Sequence, residues 1–309
     1  MSSLVDATLS DLLADRRTEV RPLPAHISLE EFRGHAATFM AQALAPEVAA
    51  VEDHTFAEAS GRRIRVRVYR PDLEALAGSI LFSHGGGFVL GDLDSHDGMC
   101  RMLARSARCA VVAVDYRRAP EHPFPAAVED CVAAARWVAK THETLSLPHR
   151  LALVGDSAGG HISIGALLTL GREAASIRHL GLIYPMIDPG CTAASLDTYG
   201  GGGFLLTRAA IEWFWSLYLP APSPRDARAW LLDADVRGFP STTLITAALD
   251  PLRDEAHAFA ERLRAADVPI EVREERGMVH GFVGLSHLTA RAGEALQYLG
   301  SRIRASLCS

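Results

Sequence analysis

A serine between glycines is the first feature of this sequence that could do chemistry. Ser157 lies in the run Gly155-Asp156-Ser157-Ala158-Gly159-Gly160, after an apolar stretch at 151–154 and before another at 162–170. The two stretches predict a buried strand and a buried helix, with the serine in the turn between them. Glycines two positions before and after the serine permit a strained turn that lifts its hydroxyl from the sheet edge. This G-x-S-x-G pattern predicts a nucleophile, although ordinary turns also collect glycine and serine.

A nucleophilic serine needs a base that takes its proton and an acid that orients the base. His280 follows the last predicted strand, at 270–272, and Asp250 follows another predicted strand, at 242–248. Sites in open α/β sheets form at the carboxyl ends of the strands, so these side chains can converge on the serine. We therefore predict that Ser157, Asp250 and His280 act as nucleophile, acid and base, in the chain order that such turns show.

Two other carboxylates compete with Asp250 for the acid role. Asp188 follows an earlier predicted strand and could serve the histidine from there. Asp254 is expected to begin the next helix, where a carboxylate meets free backbone amides and the positive end of the helix dipole. Asp250 is favoured because of its place in the chain order.

A second glycine run predicts the donors for a developing oxyanion. His84-Gly85-Gly86-Gly87 follows a predicted strand at 79–83, and amides without side chains beside them can point into a site. We predict a three-donor oxyanion hole formed by Gly85, Gly86 and Ala158, with His84 bracing the loop. A phosphate-binding loop is the alternative, but no Lys-Ser/Thr follows the glycines and no G-x-G-x-x-G is present.

The elements that must position these motifs alternate between strands and helices. Further strands are predicted at 62–70, 109–116 and 180–185, and helices at 94–108, 125–140, 207–219, 254–266 and 287–305. This alternation predicts an α/β fold with a mostly parallel sheet and helices on both faces. The strand at 151–154 should be central, and the strand at 62–70, with its alternating arginines, should lie at an edge.

Two segments do not fit the core pattern. Residues 1–50 carry amphipathic helical patterns, and 188–236 is too long for a simple connection between two core strands. We predict that they form a helical cap, with the insertion after the sixth strand, over a core of residues 51–187 and 237–309. The Gly200–Gly203 run is either a mobile segment beside the site or an exposed flexible loop.

Composition and charge narrow the classes of partner. The chain has 309 residues, 49% of them hydrophobic, and a formal net charge of -6. It shows no basic cluster interleaved with aromatics, which disfavours nucleic-acid binding. Residues 1–13 lack a signal-peptide pattern, and no apolar run reaches the length of a membrane span. We therefore expect neither nucleic acid nor a membrane as partner.

The spacing of the cysteines and histidines bears on the cellular compartment and on metal binding. The five cysteines are scattered without a C-x-x-C pair, which is typical of a reducing compartment and predicts a cytoplasmic protein. The 13 histidines include no H-E-x-x-H or comparable pair. We therefore predict neither a metal nor a cofactor.

Five motifs together resemble the hormone-sensitive-lipase-like family of α/β-hydrolases, whose bacterial members (family IV) are mostly carboxylesterases. In chain order they occupy residues 84–88, 115–126, 155–160, 250–255 and 280–282. The resemblance covers the chain from about residue 62 onward and implies the α/β-hydrolase fold, the site roles given above, an ester substrate and a homodimer as one oligomeric state. Two positions depart from the family: Arg118 replaces a usual leucine and His161 a usual asparagine.

The expected reaction is the hydrolysis of short- to medium-chain acyl esters through an acyl-enzyme on the serine. We also expect Phe88 and Phe282, which adjoin the glycine loop and the base, to wall the substrate pocket. The same triad could act on a lactone, an amide or a thioester. A non-catalytic small-molecule receptor on the same fold is disfavoured because the base, His280, is present.

Overall fold

Eight strands form one sheet in the computed structural model, which describes residues 5–58, 60–72, 76–219, 221 and 225–308. The strands are β1 (Ala50–Ala57), β2 (Arg63–Arg70), β3 (Ser79–Ser83), β4 (Ala110–Asp115), β5 (Leu151–Asp156), β6 (Ile177–Ile183), β7 (Ser241–Leu249) and β8 (Ile270–Val279). Their order across the sheet is β1-β2-β4-β3-β5-β6-β7-β8. β2 pairs antiparallel with β1 and β4, and all other pairs are parallel. The predicted α/β fold and the central place of β5 are confirmed.

Helices precede and follow the parallel strands. They are α1 (Ser10–Ala14), α2 (Leu29–Met40), α3 (Asp97–Ala107), α4 (Ala126–Thr141), α5 (Ala158–Leu170), α6 (Ala194–Tyr199), α7 (Arg208–Tyr218), α8 (Arg253–Ala265) and α9 (Ala290–Cys308). The helices predicted from periodicity correspond to α3, α4, α7, α8 and α9. α2 begins at a capping box, in which Ser28 and Glu31 each accept the other's backbone amide, so its first amides are satisfied.

Different helices bury the two faces of the sheet. Leu81 and Val112 belong to a core that includes residues of α4, α5 and α8. Ile80 and Val111 belong to a second core with residues of α3 and α9. Successive residues of a strand point to opposite faces, so a strand covered on both sides is apolar throughout. The central strands are thereby fixed from both sides, which gives the site a rigid base.

The predicted edge position of the strand at 62–70 is wrong. β2 lies between β1 and β4, and β1 takes the edge. The sequence does not predict β1 because its residues are exposed or half-buried on both faces, which leaves no apolar alternation. At the other edge, β8 runs to Val279 rather than to 272, since an edge strand tolerates the charged residues at 273–276.

The N-terminal residues contact the long connection between β6 and β7. The Val20 amide donates to Leu205 O at 2.7 Å, and the Gly203 amide donates to Glu19 Oε1 at 2.7 Å. Gly202 has a φ of 105°, which favours glycine, and a Cβ on it would meet the Arg16 guanidinium, so the glycine run permits this close approach. Residues 1–4 of the predicted cap, and 220 and 222–224 of the predicted insertion, lie outside the described residues.

Within the described ranges, no helix is both long and apolar enough to cross a bilayer. Across the same residues, no three His, Cys, Asp or Glu side chains gather as a metal site would require. The five cysteines carry free thiols, and all except Cys308 are buried. Burial raises the pKa of the Cys131 thiol to about 12.

Candidate active site

Ser157 occupies a strained turn between β5 and α5. Its φ of 52° and ψ of -119° are unfavourable for a residue with a Cβ and persist only where the surroundings fix them. The Ser157 amide donates to Ile183 O at 2.8 Å. A Cβ on Gly155 would overlap the backbone of Gly159, and a Cβ on Gly159 would overlap Ser83 O. The flanking glycines therefore allow the close packing that the turn requires.

The structure brings Ser157, His280 and Asp250 into one hydrogen-bonded chain. His280 Nε2 lies 2.9 Å from Ser157 Oγ, and His280 Nδ1 lies 2.8 Å from Asp250 Oδ2. A carboxylate only accepts, so Nδ1 carries the ring proton and Nε2 accepts from the serine hydroxyl. Asp250 is 1% exposed, and its other oxygen accepts the Leu252 amide at 2.8 Å. The arrangement is that of a nucleophile with its base and an orienting acid.

The two competing carboxylates have other partners. Asp188 accepts the Gly190 amide and the Thr192 hydroxyl, each at 2.9 Å. Asp254 lies in the first turn of α8, as expected, and accepts the Ser195 amide at 2.8 Å. Asp250 is thus the carboxylate that contacts the histidine.

Gly85, one of the three predicted oxyanion donors, has another partner in the structure. The Gly85 amide donates to Asp156 Oδ1 at 2.8 Å, so it is not available to a substrate. Gly86 and Gly87, with φ of 109° and 60°, line the cavity beside Ser157. Ala158 is the first residue of α5, where the backbone amide has no partner within the helix. The geometry therefore places Gly86, Gly87 and Ala158 around the serine, rather than Gly85.

His84 and Tyr116 hold the start of this loop. His84 Nδ1 lies 2.8 Å from Gly85 O, and the Tyr116 hydroxyl donates to His84 O at 2.8 Å. Burial and the neighbouring His96 hold the pKa of His84 well below its ordinary value. The ring is therefore neutral and donates through Nδ1, in the bracing position predicted for it.

The serine and histidine open onto a cavity of about 470 Å³. Its walls come from the N-terminal residues, α2, the glycine loop, the turn at the serine and the β6–β7 connection. Apolar residues that line it include Val20, Ile27, Phe32, Phe39, Met40, Met186, Leu205, Leu206, Ile211, Phe214 and Leu285. Such a lining, with few polar groups near the nucleophile, suits an uncharged organic molecule.

Neither phenylalanine predicted to wall the pocket belongs to its lining. Phe88 is fully buried and stacks on Tyr218 with ring centroids 3.8 Å apart, and Phe282 is fully buried with its ring 5.7 Å from that of Tyr184. Contacts with other aromatic rings enclose both side chains, so neither is exposed to the cavity. Phe214 of α7 lines the cavity instead, and its ring fills the space that a Cβ on Gly87 would take.

The two departures from the family lie outside the hydrogen-bonded chain. Arg118 Nη1 donates to Gly91 O at 2.6 Å, which supports the segment after the glycine loop. His161 is fully buried, its ring is 5.2 Å from those of Phe88 and Trp215, and burial lowers its pKa to about 3. It is a neutral packing residue behind the serine turn.

The fold and the site define an α/β-hydrolase. A family profile described as alpha/beta hydrolase fold matches residues 80–284, and the chain belongs to this family, which confirms the hormone-sensitive-lipase-like resemblance. Ethyl acetate hydrolase of Pseudomonas putida is 35% identical over 94% of this chain and 94% of its own length. Carboxylic ester hydrolase LipN of Mycobacterium tuberculosis is 39% identical over 79% of this chain and 67% of its own. The Pyrobaculum calidifontis esterase structure superposes with a TM-score of 0.89 and 31% identity, covering 99% of this chain and 100% of its own.

Proposed function

We propose that the protein is a serine carboxylesterase that hydrolyses esters of short- to medium-chain acyl groups. The hydrogen-bonded chain from Ser157 through His280 to Asp250, beside a cavity of about 470 Å³, carries the proposal. Membership of the α/β-hydrolase family and relatives whose names describe ester hydrolases support it.

The first half of the reaction makes an acyl-enzyme. Ser157 Oγ attacks the ester carbonyl carbon while His280 Nε2 takes its proton, and Asp250 stabilises the imidazolium that forms. The negative charge that develops on the carbonyl oxygen receives hydrogen bonds from the amides of Gly86 and Gly87, with a third from Ala158. His280 then gives its proton to the leaving alcohol as the carbon–oxygen bond breaks.

The second half repeats these steps with water. His280 takes a proton from a water molecule that attacks the acyl carbon, and the proton returns to Ser157 Oγ as the carboxylic acid leaves. The apolar walls of the cavity hold the alkyl part of the substrate, which supports an uncharged ester with a modest acyl chain.

We further propose that residues 1–50 and 188–236 form a cap over a core of 51–187 and 237–309, and that the protein works in the cytoplasm as a homodimer. The shared cavity walls support the cap, and the free thiols suit a reducing compartment. Among the described residues β8 pairs with β7 alone, so its other edge offers backbone groups to a second copy. A molecular mass measured by light scattering that stays at one chain at high concentration would rule out the dimer.

The test is hydrolysis of p-nitrophenyl esters from acetate to palmitate, with EDTA present, by wild type and Ser157→Ala. Ser79→Ala is the matched control, because Ser79 is also buried and its hydroxyl donates to Pro148 O at 2.9 Å, away from the site. The proposal predicts turnover of the short esters, a loss of about 10⁶-fold in kcat for Ser157→Ala and no such loss for Ser79→Ala. Equal rates in the two variants, or no turnover by folded wild type, would contradict it.

A further inference from the structure

Asp156 precedes the nucleophile, yet its carboxylate reaches across to the glycine loop. Asp156 Oδ1 accepts the Gly85 amide at 2.8 Å, and the two residues are 71 positions apart in the chain. Asp156 is the last residue of β5 and is only 5% exposed. A hydrogen bond from a backbone amide to a carboxylate is stronger than one between neutral groups. One side chain therefore links the strand that carries the nucleophile to the loop that carries the donors.

Two neighbours hold this carboxylate at the wall of the cavity. A Cβ on Gly85 would overlap Asp156 Oδ2, so the loop lies directly against the carboxylate. On another side, His96 Nε2 lies 3.6 Å from Asp156 Oδ1, and its Nδ1 lies 3.0 Å from Ser95 Oγ. Asp156, His96 and Ser95 are at most 5% exposed, and the contacts with Gly85 and His96 hold the carboxylate against the loop.

The glycine loop needs an external constraint of this kind. Three successive glycines have more backbone freedom than any other tripeptide, whereas oxyanion donors work best when they are fixed before the charge develops. The bond to Asp156 holds the residue next to Gly86, and Asp156 is itself covalently joined to Ser157. The separation between nucleophile and donors is thereby set by one hydrogen bond and one peptide link.

We propose that Asp156 is a positioning residue, whose carboxylate oxygen fixes the glycine loop so that the Gly86 and Gly87 amides meet the oxyanion formed on Ser157. This inference rests on the proposed function. According to this inference, the rate depends on the position of the carboxylate oxygen rather than on its charge. A replacement that keeps the oxygen and loses the charge should then be better than one that keeps the charge and moves the oxygen.

The experiment compares Asp156→Asn, Asp156→Glu and Asp156→Ala on p-nitrophenyl acetate. The asparagine oxygen can still accept the Gly85 amide, the longer glutamate displaces the loop, and alanine leaves the amide without a partner. Because a misplacement of about 1 Å can cost 10²-fold in rate, we expect kcat to fall about 100-fold in Asp156→Glu and Asp156→Ala, and less than about 10-fold in Asp156→Asn. KM should change by less than about 3-fold, since the bonds concerned form in the transition state.

A second readout separates positioning from a merely structural role. An alkyl trifluoromethyl ketone adds reversibly to the serine and places an oxyanion in the hole, so its Ki should rise with the loss of kcat/KM in each variant. Asp130→Asn is the matched control, because Asp130 is 1% exposed and also accepts a backbone amide, that of Arg117 at 2.8 Å. We expect it to lower the melting temperature without changing kcat or Ki.

Two results would overturn the inference. One is Asp156→Glu as active as Asp156→Asn, which shows that the position of the oxygen does not set the rate. The other is an unchanged ketone Ki in Asp156→Glu, which shows that the hole is intact. Either result obtained with an active wild type leaves the esterase proposal standing. An inactive wild type would remove the proposed function and this inference with it.

Discussion

Replacing Phe214 should lengthen the acyl chain that the enzyme prefers. The ring lies at the cavity wall, against Gly87 of the glycine loop, and the residue is 4% exposed. Removing it frees space beside the expected position of the ester. Each methylene moved from water into that space is worth about 0.8 kcal/mol, or about 4-fold in kcat/KM. If the space takes about three methylenes, the gain is about 2.4 kcal/mol, or roughly 50-fold.

The assay is the ratio of kcat/KM for the p-nitrophenyl octanoate and acetate esters, in wild type, Phe214→Ala and Phe214→Leu. Truncating a buried phenylalanine to alanine costs about 3–5 kcal/mol of stability. If the alanine variant melts near the assay temperature, the ratio is compared between wild type and the leucine variant instead. Trp215→Ala is the control, since Trp215 is also 4% exposed but its ring contacts Phe88, His161 and Tyr218, none of which lines the cavity. A ratio that rose equally in Trp215→Ala, or not at all in Phe214→Ala, would refute the reasoning.

Three further predictions concern carboxylates. Asp250→Asn should lower kcat on the order of 10⁴-fold at neutral pH, because the amide no longer holds His280 in the required tautomer; a loss below 10-fold in steady-state kinetics would count against the assigned acid. The Arg33 guanidinium lowers the pKa of Glu121 to about 2, so this half-exposed pair stabilises the protein above pH 4 and loses its effect as the pH falls through 2. The melting temperature of Glu121→Gln should then be about 1–2 °C below wild type at pH 7, and the difference should vanish below pH 2; a constant difference would contradict this. Burial raises the pKa of Glu255 well above its ordinary value, so its contribution to stability is complete in acid and declines as the pH rises through the raised pKa. The melting temperature of Glu255→Gln should rise relative to that of wild type between pH 5 and 8. If the two melting temperatures have the same pH dependence, Glu255 does not bind a proton in the folded state.

The sequence predicts that Ser157, Asp250 and His280 converge, as they do in the structure, because a local signal marks each of the three. The glycines around Ser157 indicate the turn. In the structure a Cβ on Gly155 or Gly159 would overlap neighbouring backbone, so the turn requires glycine at both positions. Apolar residues in the predicted strands at 242–248 and 270–272 precede Asp250 and His280. The sequence therefore predicts that both residues follow the carboxyl ends of strands.

The oxyanion loop shows where local signals stop. Three equivalent glycines do not reveal which amides face the substrate. The choice depends on the contact between Gly85 and Asp156, which no pattern near the loop contains. The same limit applies to Phe88 and Phe282, because adjacency to a site residue does not determine which way a ring turns.

The two edge strands, β1 and β8, were missed wholly or in part by the sequence analysis for a different reason. β1 is exposed or half-buried along its length, so burial imposes no period-two pattern on it. In β8 the charged residues at 273–276 interrupt the apolar pattern, although Met278 and Val279 at its end are buried. The alternating β2 resembles an edge strand from its own residues alone, and only the presence of β1 beside it makes it internal.

The most direct test of the account is to find the atom that reacts. An alkyl fluorophosphonate phosphonylates an activated serine as its phosphorus–fluorine bond breaks, and peptide mass mapping locates the adduct. The account predicts one adduct per chain, on Ser157, with esterase activity falling in proportion to labelling, and no adduct at that site in Ser157→Ala. Full labelling of another residue, or a fully labelled enzyme that still hydrolyses p-nitrophenyl acetate, would contradict the assignment of Ser157 as the nucleophile.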